Sequence, residues 1–124
     1  MIKKVLIVED YNDARRFMKI LVESHGCIAI EAADGIEAID KFKQHSPDIV
    51  LMDISLPFVD GLTTTKAIRE LDGIKRTPII AITAFGQFFY KEAIEAGCDE
   101  LINKPVDINT IEAVLNNYLL PVTS

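Results

Sequence analysis

At 124 residues the chain has the length of one domain, enough for one hydrophobic core. Its 49% hydrophobic and 26% charged content excludes a disordered chain, and its net charge of −6 excludes general nucleic-acid binding, which needs a basic face. Protein partners and metal cations stay open. The opening MIKKVLIVED carries only a short apolar run that ends in acids, so it reads as neither a signal peptide nor a membrane span. Cys27 and Cys98 form no metal-ligand or disulfide pattern and read as small buried residues of a cytoplasmic protein.

The first apolar run, Val5–Val8, predicts a strand, and it stops at Glu9-Asp10. Ala14, Phe17, Met18, Leu21 and Val22 then recur at helical spacing and predict a helix that ends near Gly26. Cys27–Ala32 reads as the second strand. Asp34, with Glu37 three residues on, suits a capping box for the second helix. Ile49–Met52 is a third strand that runs into Asp53, and Pro57 and Gly61 turn the chain away from it. Asp60 is the expected cap of a third helix ending at Gly73. Pro78–Thr83 is the fourth strand, and a weakly patterned fourth helix follows near Phe88–Ala96, before Gly97. Leu101–Asn103 is the fifth strand. Asp107 should cap a last helix carrying Ile108, Ile111, Leu115, Tyr118 and Leu119.

Five strands alternating with five helices imply right-handed crossovers and a parallel sheet covered on both faces. Ligands of such sheets bind beyond the carboxyl ends of the strands, at a topological switch point. The residues predicted at those ends are Glu9 and Asp10, Asp53, Thr83, and Asn103 leading to Lys104-Pro105. Each has an ordinary reading alone: an acid can cap a helix, a threonine suits a strand, a lysine suits a surface. Three gathered carboxylates are harder to explain. A like-charged pair about 4 Å apart costs about 4 kcal/mol at an effective dielectric near 20. Lys104 supplies one positive charge, and a hard divalent cation such as Mg²⁺ would complete the balance in an all-oxygen site. Carboxylates around a metal, one of them nucleophilic, with a hydroxyl and an ammonium nearby, are equipment for forming an aspartyl phosphate.

With Glu9-Asp10, the segment D-I-S-L-P-F-V-D-G, I-T-A, A-G-C-D and K-P, the chain resembles the receiver domain of two-component response regulators over essentially its whole length, 1–124, as a single domain. The resemblance implies a doubly wound α/β fold, (βα)5, with flavodoxin-like strand order 2-1-3-4-5. It implies Asp53 as phosphoacceptor and Mg²⁺ held by Asp10, Asp53, the backbone carbonyl of Ser55 and Glu9, the last directly or through water. Thr83 would bond a phosphoryl oxygen, Lys104 would pair with the same group, and Pro105 would follow a cis peptide bond. The expected partners are a sensor histidine kinase or histidine phosphotransfer protein, contacting mostly the first helix over Asp13–Glu23, and a downstream protein target. The resemblance implies chemistry limited to self-catalysed phosphotransfer and autodephosphorylation, so the domain is expected to be a signalling module rather than an enzyme. Leu101 departs from the family, which usually carries a switching aromatic three residues before the lysine. Phe85, Phe88, Phe89 and Tyr90 offer either core packing or a docking surface over the fourth helix and fifth strand.

Two phosphate-handling alternatives fit poorly. Phosphatases of the haloacid dehalogenase type resemble D-x-D, whereas Ser55 follows Asp53 here. A flavodoxin needs a phosphate loop after the first strand, where VEDYNDAR is acidic. The remaining alternative is a receiver that acts only as a protein-interaction domain and is never phosphorylated. No output domain is recognisable after the fifth helix, where the sequence reads LLPVTS, so output is expected through protein binding or onward phosphotransfer to a histidine.

Overall fold

A computed structural model describes residues 2–56 and 59–119; Pro57, expected to break the chain after Asp53, lies outside them. The strands are β1 (Lys4–Val8), β2 (Ile28–Ala32), β3 (Ile49–Asp53), β4 (Ile79–Thr83) and β5 (Glu100–Asn103). They alternate with helices α1 (Asn12–Ser24), α2 (Gly35–His45), α3 (Gly61–Asp72), α4 (Gly86–Ala96) and α5 (Ile108–Tyr118). All pairings are parallel, in the order β2-β1-β3-β4-β5, as expected for the flavodoxin-like (βα)5 fold. The chain winds outward from β1 to β2, then returns to place β3 on the other side of β1. The crevice between β1 and β3 is therefore the switch point.

The two-residue period of the strands sorts the core into two layers. Val5, Ile7, Ile49, Leu51, Ile80 and Ile82 face α1 and α5, where Met18, Leu21, Val22, Ile111 and Leu115 cover them. Leu6, Val8, Val50, Met52, Ile79 and Ala81 face α2, α3 and α4, meeting Phe42, Ile68 and Ala93. Every residue of β3 and β4 is buried, which is why these runs are continuously apolar rather than alternating. Cys27 and Cys98 are buried free thiols, as expected.

The side chains of Asp34, Asp60 and Asp107 each accept an N–H three residues on, from Glu37, Thr63 and Thr110, at 2.8 Å. Gly73 and Gly97 cap α3 and α4 with positive φ, while α1 ends at Ser24 and is capped by His25, one residue before Gly26. Two predicted stripes are narrower than their spacing implied, because Phe17 and Ile108 are exposed. α4 starts at Gly86, two residues before the predicted Phe88, because the cap that starts it comes from another strand. Among the described residues no helix is long and apolar enough to cross a membrane.

Candidate functional site

The acidic residues are brought together by the ends of β1 and β3. The Glu9 N–H extends the ladder by donating to the Ala32 carbonyl at 3.1 Å, which fixes Glu9 as a continuation of β1 with its side chain buried. Asp10 follows in the turn and is exposed. Asp53 is the last residue of β3 and is only 3% exposed. Carboxylate oxygens of Glu9, Asp10 and Asp53 all lie within 4.8 Å of one another.

Each buried carboxylate is partly compensated. The Ser55 backbone N–H donates to Asp53 Oδ1 at 3.0 Å, and the Tyr11 N–H donates to Glu9 Oε2 at 3.3 Å. Lys104, carried in by the end of β5, reaches both acids: its Nζ lies 3.0 Å from Glu9 Oε1 and 3.4 Å from Asp53 Oδ2. The bond linking it to Pro105 is cis. Burial, reinforced by the hydrogen bond and charge of neighbouring Asp53, raises the pKa of Glu9. Burial works to lower that of Lys104, but the hydrogen bond to Glu9 and the charge of Asp53 outweigh it, and the net shift is upward. Three carboxylates against one ammonium leave an excess of negative charge. An excess held on hard oxygen donors fits a divalent cation such as Mg²⁺.

Thr83 ends β4, buried at the same sheet edge. Among the described residues its hydroxyl bonds none of the carboxylates; it accepts the Phe85 N–H at 3.1 Å. Leu101 is half-buried against the α2–α3–α4 side of the core. Of the four clustered aromatics, Phe89 packs on that core, whereas Phe85, Phe88 and Tyr90 are more than half exposed. Beside the acids, a cleft of about 480 Å³ runs along α1, lined by Tyr11, Ala14, Phe17, Met18, Pro105 and Val106.

Sequence reasoning missed Arg15. Its Nη1 donates to the Glu9 carbonyl at 2.9 Å, its Nη2 to Asn12 at 2.8 Å and its Nε to Glu31 at 3.3 Å. It thereby braces the turn that presents Glu9 and Asp10. Sequence reasoning placed Asn103 at the end of β5 but missed that its side chain accepts the Gly86 N–H at 3.0 Å. Neither residue leaves a periodic or motif signal, because each acts on backbone brought near by the fold.

Comparison with known proteins agrees with this architecture. The chain is 38% identical over 120 residues to the polar-differentiation response regulator DivK of Brucella anthropi, covering 96% of this chain and 98% of that protein. Its fold matches the chemotaxis protein CheY4 of Vibrio cholerae with a TM-score of 0.89 and 28% identity, over 96% of this chain and all of that one (100%). It also matches the receiver domain of the sensor histidine kinase PA1611 from Pseudomonas aeruginosa, at a TM-score of 0.87 and 29% identity, over 95% and 98% of the two chains. That structure holds a magnesium ion coordinated in its active site cleft. The model of the response regulator receiver domain matches residues 5–116, which takes in all four strand ends that build the acidic pocket. With fold, pocket and sequence in agreement, the chain belongs to the response regulator receiver family.

Proposed function

We propose that this domain accepts a phosphoryl group from a kinase phosphohistidine onto Asp53, in a Mg²⁺-dependent reaction, and signals by altered protein binding. The observation that carries this reading is the cluster of Glu9, Asp10 and Asp53 oxygens within 4.8 Å of one another, with Lys104 as its one cationic partner among the described residues. A carboxylate oxygen of Asp53 attacks phosphorus, the phosphorus–nitrogen bond to the histidine breaks, and the imidazole leaves with the electron pair. Asp10, Asp53, the Ser55 carbonyl and Glu9, the last directly or through water, would hold the ion. When bound, the ion supplies positive charge against the phosphoryl oxygens. Lys104 supplies the same compensation from the β5 side, and Thr83 donates its hydroxyl to the new phosphate. Hydrolysis of the acyl phosphate returns the carboxylate, so the domain cycles as a switch rather than turning over a substrate.

In this reading the domain works as one cytoplasmic unit. Its donor is a sensor histidine kinase or a histidine phosphotransfer protein, docking along α1, where the cleft lies beside the acids. The exposed Phe88 and Tyr90 on α4 serve a downstream protein partner. Leu101 favours one second reading, a receiver that binds partners without being phosphorylated.

Incubation with a small phosphodonor and Mg²⁺, followed by intact mass, separates the two. One alkali-labile phosphate is expected on the wild type and none on Asp53→Ala. No adduct at saturating donor and Mg²⁺ would leave only the interaction reading.

A further inference from the structure

The start of α4 is built differently from the starts of α2, α3 and α5. Those helices take their caps from the aspartate immediately before them. α4 is preceded by Phe85, which gives no side-chain cap. Its first N–H, that of Gly86, is instead accepted by Asn103 Oδ1 on β5, 17 residues away in sequence. Only a glycine leaves room for this contact: a Cβ at position 86 would stand 2.2 Å from Asn103 Oδ1 and 2.7 Å from Leu101 Cδ2. Asn103 and Leu101, two residues apart on one face of β5, therefore both press on position 86, Asn103 with a hydrogen bond and Leu101 with its side chain.

The other end of this short connection is Thr83. Thr83 and Asn103 are Cα partners across β4 and β5, and the Thr83 hydroxyl accepts the Phe85 N–H. A hydroxyl has one hydrogen to donate and can keep accepting while it does so. Turning Thr83 toward a phosphate on Asp53 thus draws Phe85 along, and Gly86, the next residue, is tied to Asn103. The loop cannot follow the threonine without stretching that tie.

We infer that Asn103 is a positioning residue that latches the β4–α4 loop in its unphosphorylated arrangement and so sets the cost of recruiting Thr83 to the phosphoryl group. The inference rests on the receiver function proposed above. It assigns to an Asn–Gly link, packed by Leu101, the restraint that holds the loop in this chain.

The test uses beryllofluoride with Mg²⁺ as the phosphoryl probe and amide hydrogen exchange as the local readout, on wild type, Asn103→Ala and Asn103→Asp. In Asn103→Ala the Gly86 amide should exchange faster, and beryllofluoride should bind about twofold to fivefold more tightly, the scale of one hydrogen bond at a half-exposed position. Affinity for Mg²⁺ alone should stay at the wild-type value, because Asn103 is no ligand. Asn103→Asp keeps an acceptor oxygen and should keep the Gly86 amide protected. Unchanged Gly86 exchange in Asn103→Ala, or unchanged or weaker beryllofluoride binding, overturns the latch. A wild type that takes no beryllofluoride overturns the receiver reading itself, and the exchange data still report separately on the bond.

Discussion

Lys104 donates to Glu9 at 3.0 Å across 95 residues of sequence, closer than its 3.4 Å approach to Asp53. One ammonium thus bonds two of a cluster of three carboxylates, and the pocket stores repulsion that a bound cation would relieve. Asp10 is the exposed member, so neutralising it removes charge without opening a cavity. Asp10→Asn should therefore gain up to about 1 kcal/mol in Mg²⁺-free urea denaturation, a surface-screened fraction of the pair energy. It should also gain less than the wild type when Mg²⁺ is added. A variant less stable than wild type without Mg²⁺ would contradict the stored repulsion.

Gly61 approaches the backbone beneath the proposed phosphoacceptor. A Cβ there would lie 2.3 Å from the Asp53 carbonyl oxygen and 2.6 Å from the Ile54 Cα, neither of which can swing away as a side chain could. The Gly61 N–H also donates to the Ile54 carbonyl at 2.9 Å. Gly61→Ala should cost about 1–3 kcal/mol of stability, as overpacking does. It should also slow phosphorylation of Asp53 under conditions where the variant is still folded. Urea midpoints and the initial rate of mass-adduct formation measure the two effects, and a wild-type rate in the folded variant would show that Asp53 is not displaced.

The fold was legible because its signals are local. Apolar runs marked the strands, three aspartates marked helix starts, and each strand was placed to within about one residue. The acids were legible because parallel strands deliver their carboxyl ends to one edge, so Glu9, Asp53 and Lys104 could be gathered by topology alone. What stayed hidden depends on side chains meeting backbone far away in sequence. Arg15 on the Glu9 carbonyl, Asn103 on Gly86 and Arg69 on the Thr77 carbonyl leave no spacing to read. The early start of α4 was missed for the same reason, since Asn103 caps it from β5.

Tyr118 ties α5 to β5 by donating to Glu100 Oε2 at 2.9 Å. Burial first, then the bond to Glu100 and its charge, push the phenol from its ordinary 10.0 up to about 12. The folded chain therefore holds this proton more tightly than the unfolded chain does. The resulting stability is complete below about pH 10 and is lost as the pH rises through about 12. In an absorbance titration of phenolate, one of the three tyrosines should ionise near pH 12, and that step should vanish in Tyr118→Phe. If the Tyr118→Phe titration matched wild type in that window, the late step would belong elsewhere.

At the amino ends of β4 and β5, opposite the acidic pocket, Asp72 organises a second polar network. Its side chain is 1% exposed and accepts the Thr77 N–H at 2.6 Å, the Thr77 hydroxyl at 2.7 Å and Arg69 Nη1 at 3.2 Å. Arg69 continues the network to the Gly97 carbonyl at 2.8 Å and Asp99 at 2.9 Å, and Asp99 in turn accepts the Ile79 N–H at 2.9 Å. The network thus joins the end of α3 to the starts of both strands. Asp72→Ala should cost about 1–3 kcal/mol, because it leaves two buried Thr77 donors unmet, while Arg69 keeps Asp99 as its charged partner. Asp72→Asn keeps an acceptor for Thr77 and should cost less. Since the network touches neither Thr83 nor any carboxylate of the pocket, Asp72→Asn should lower the urea midpoint while Asp53 is phosphorylated at the wild-type rate. A parallel fall in both quantities would mean that the two ends of the sheet are coupled, and that the loops holding β4 and β5 help set the geometry around Asp53.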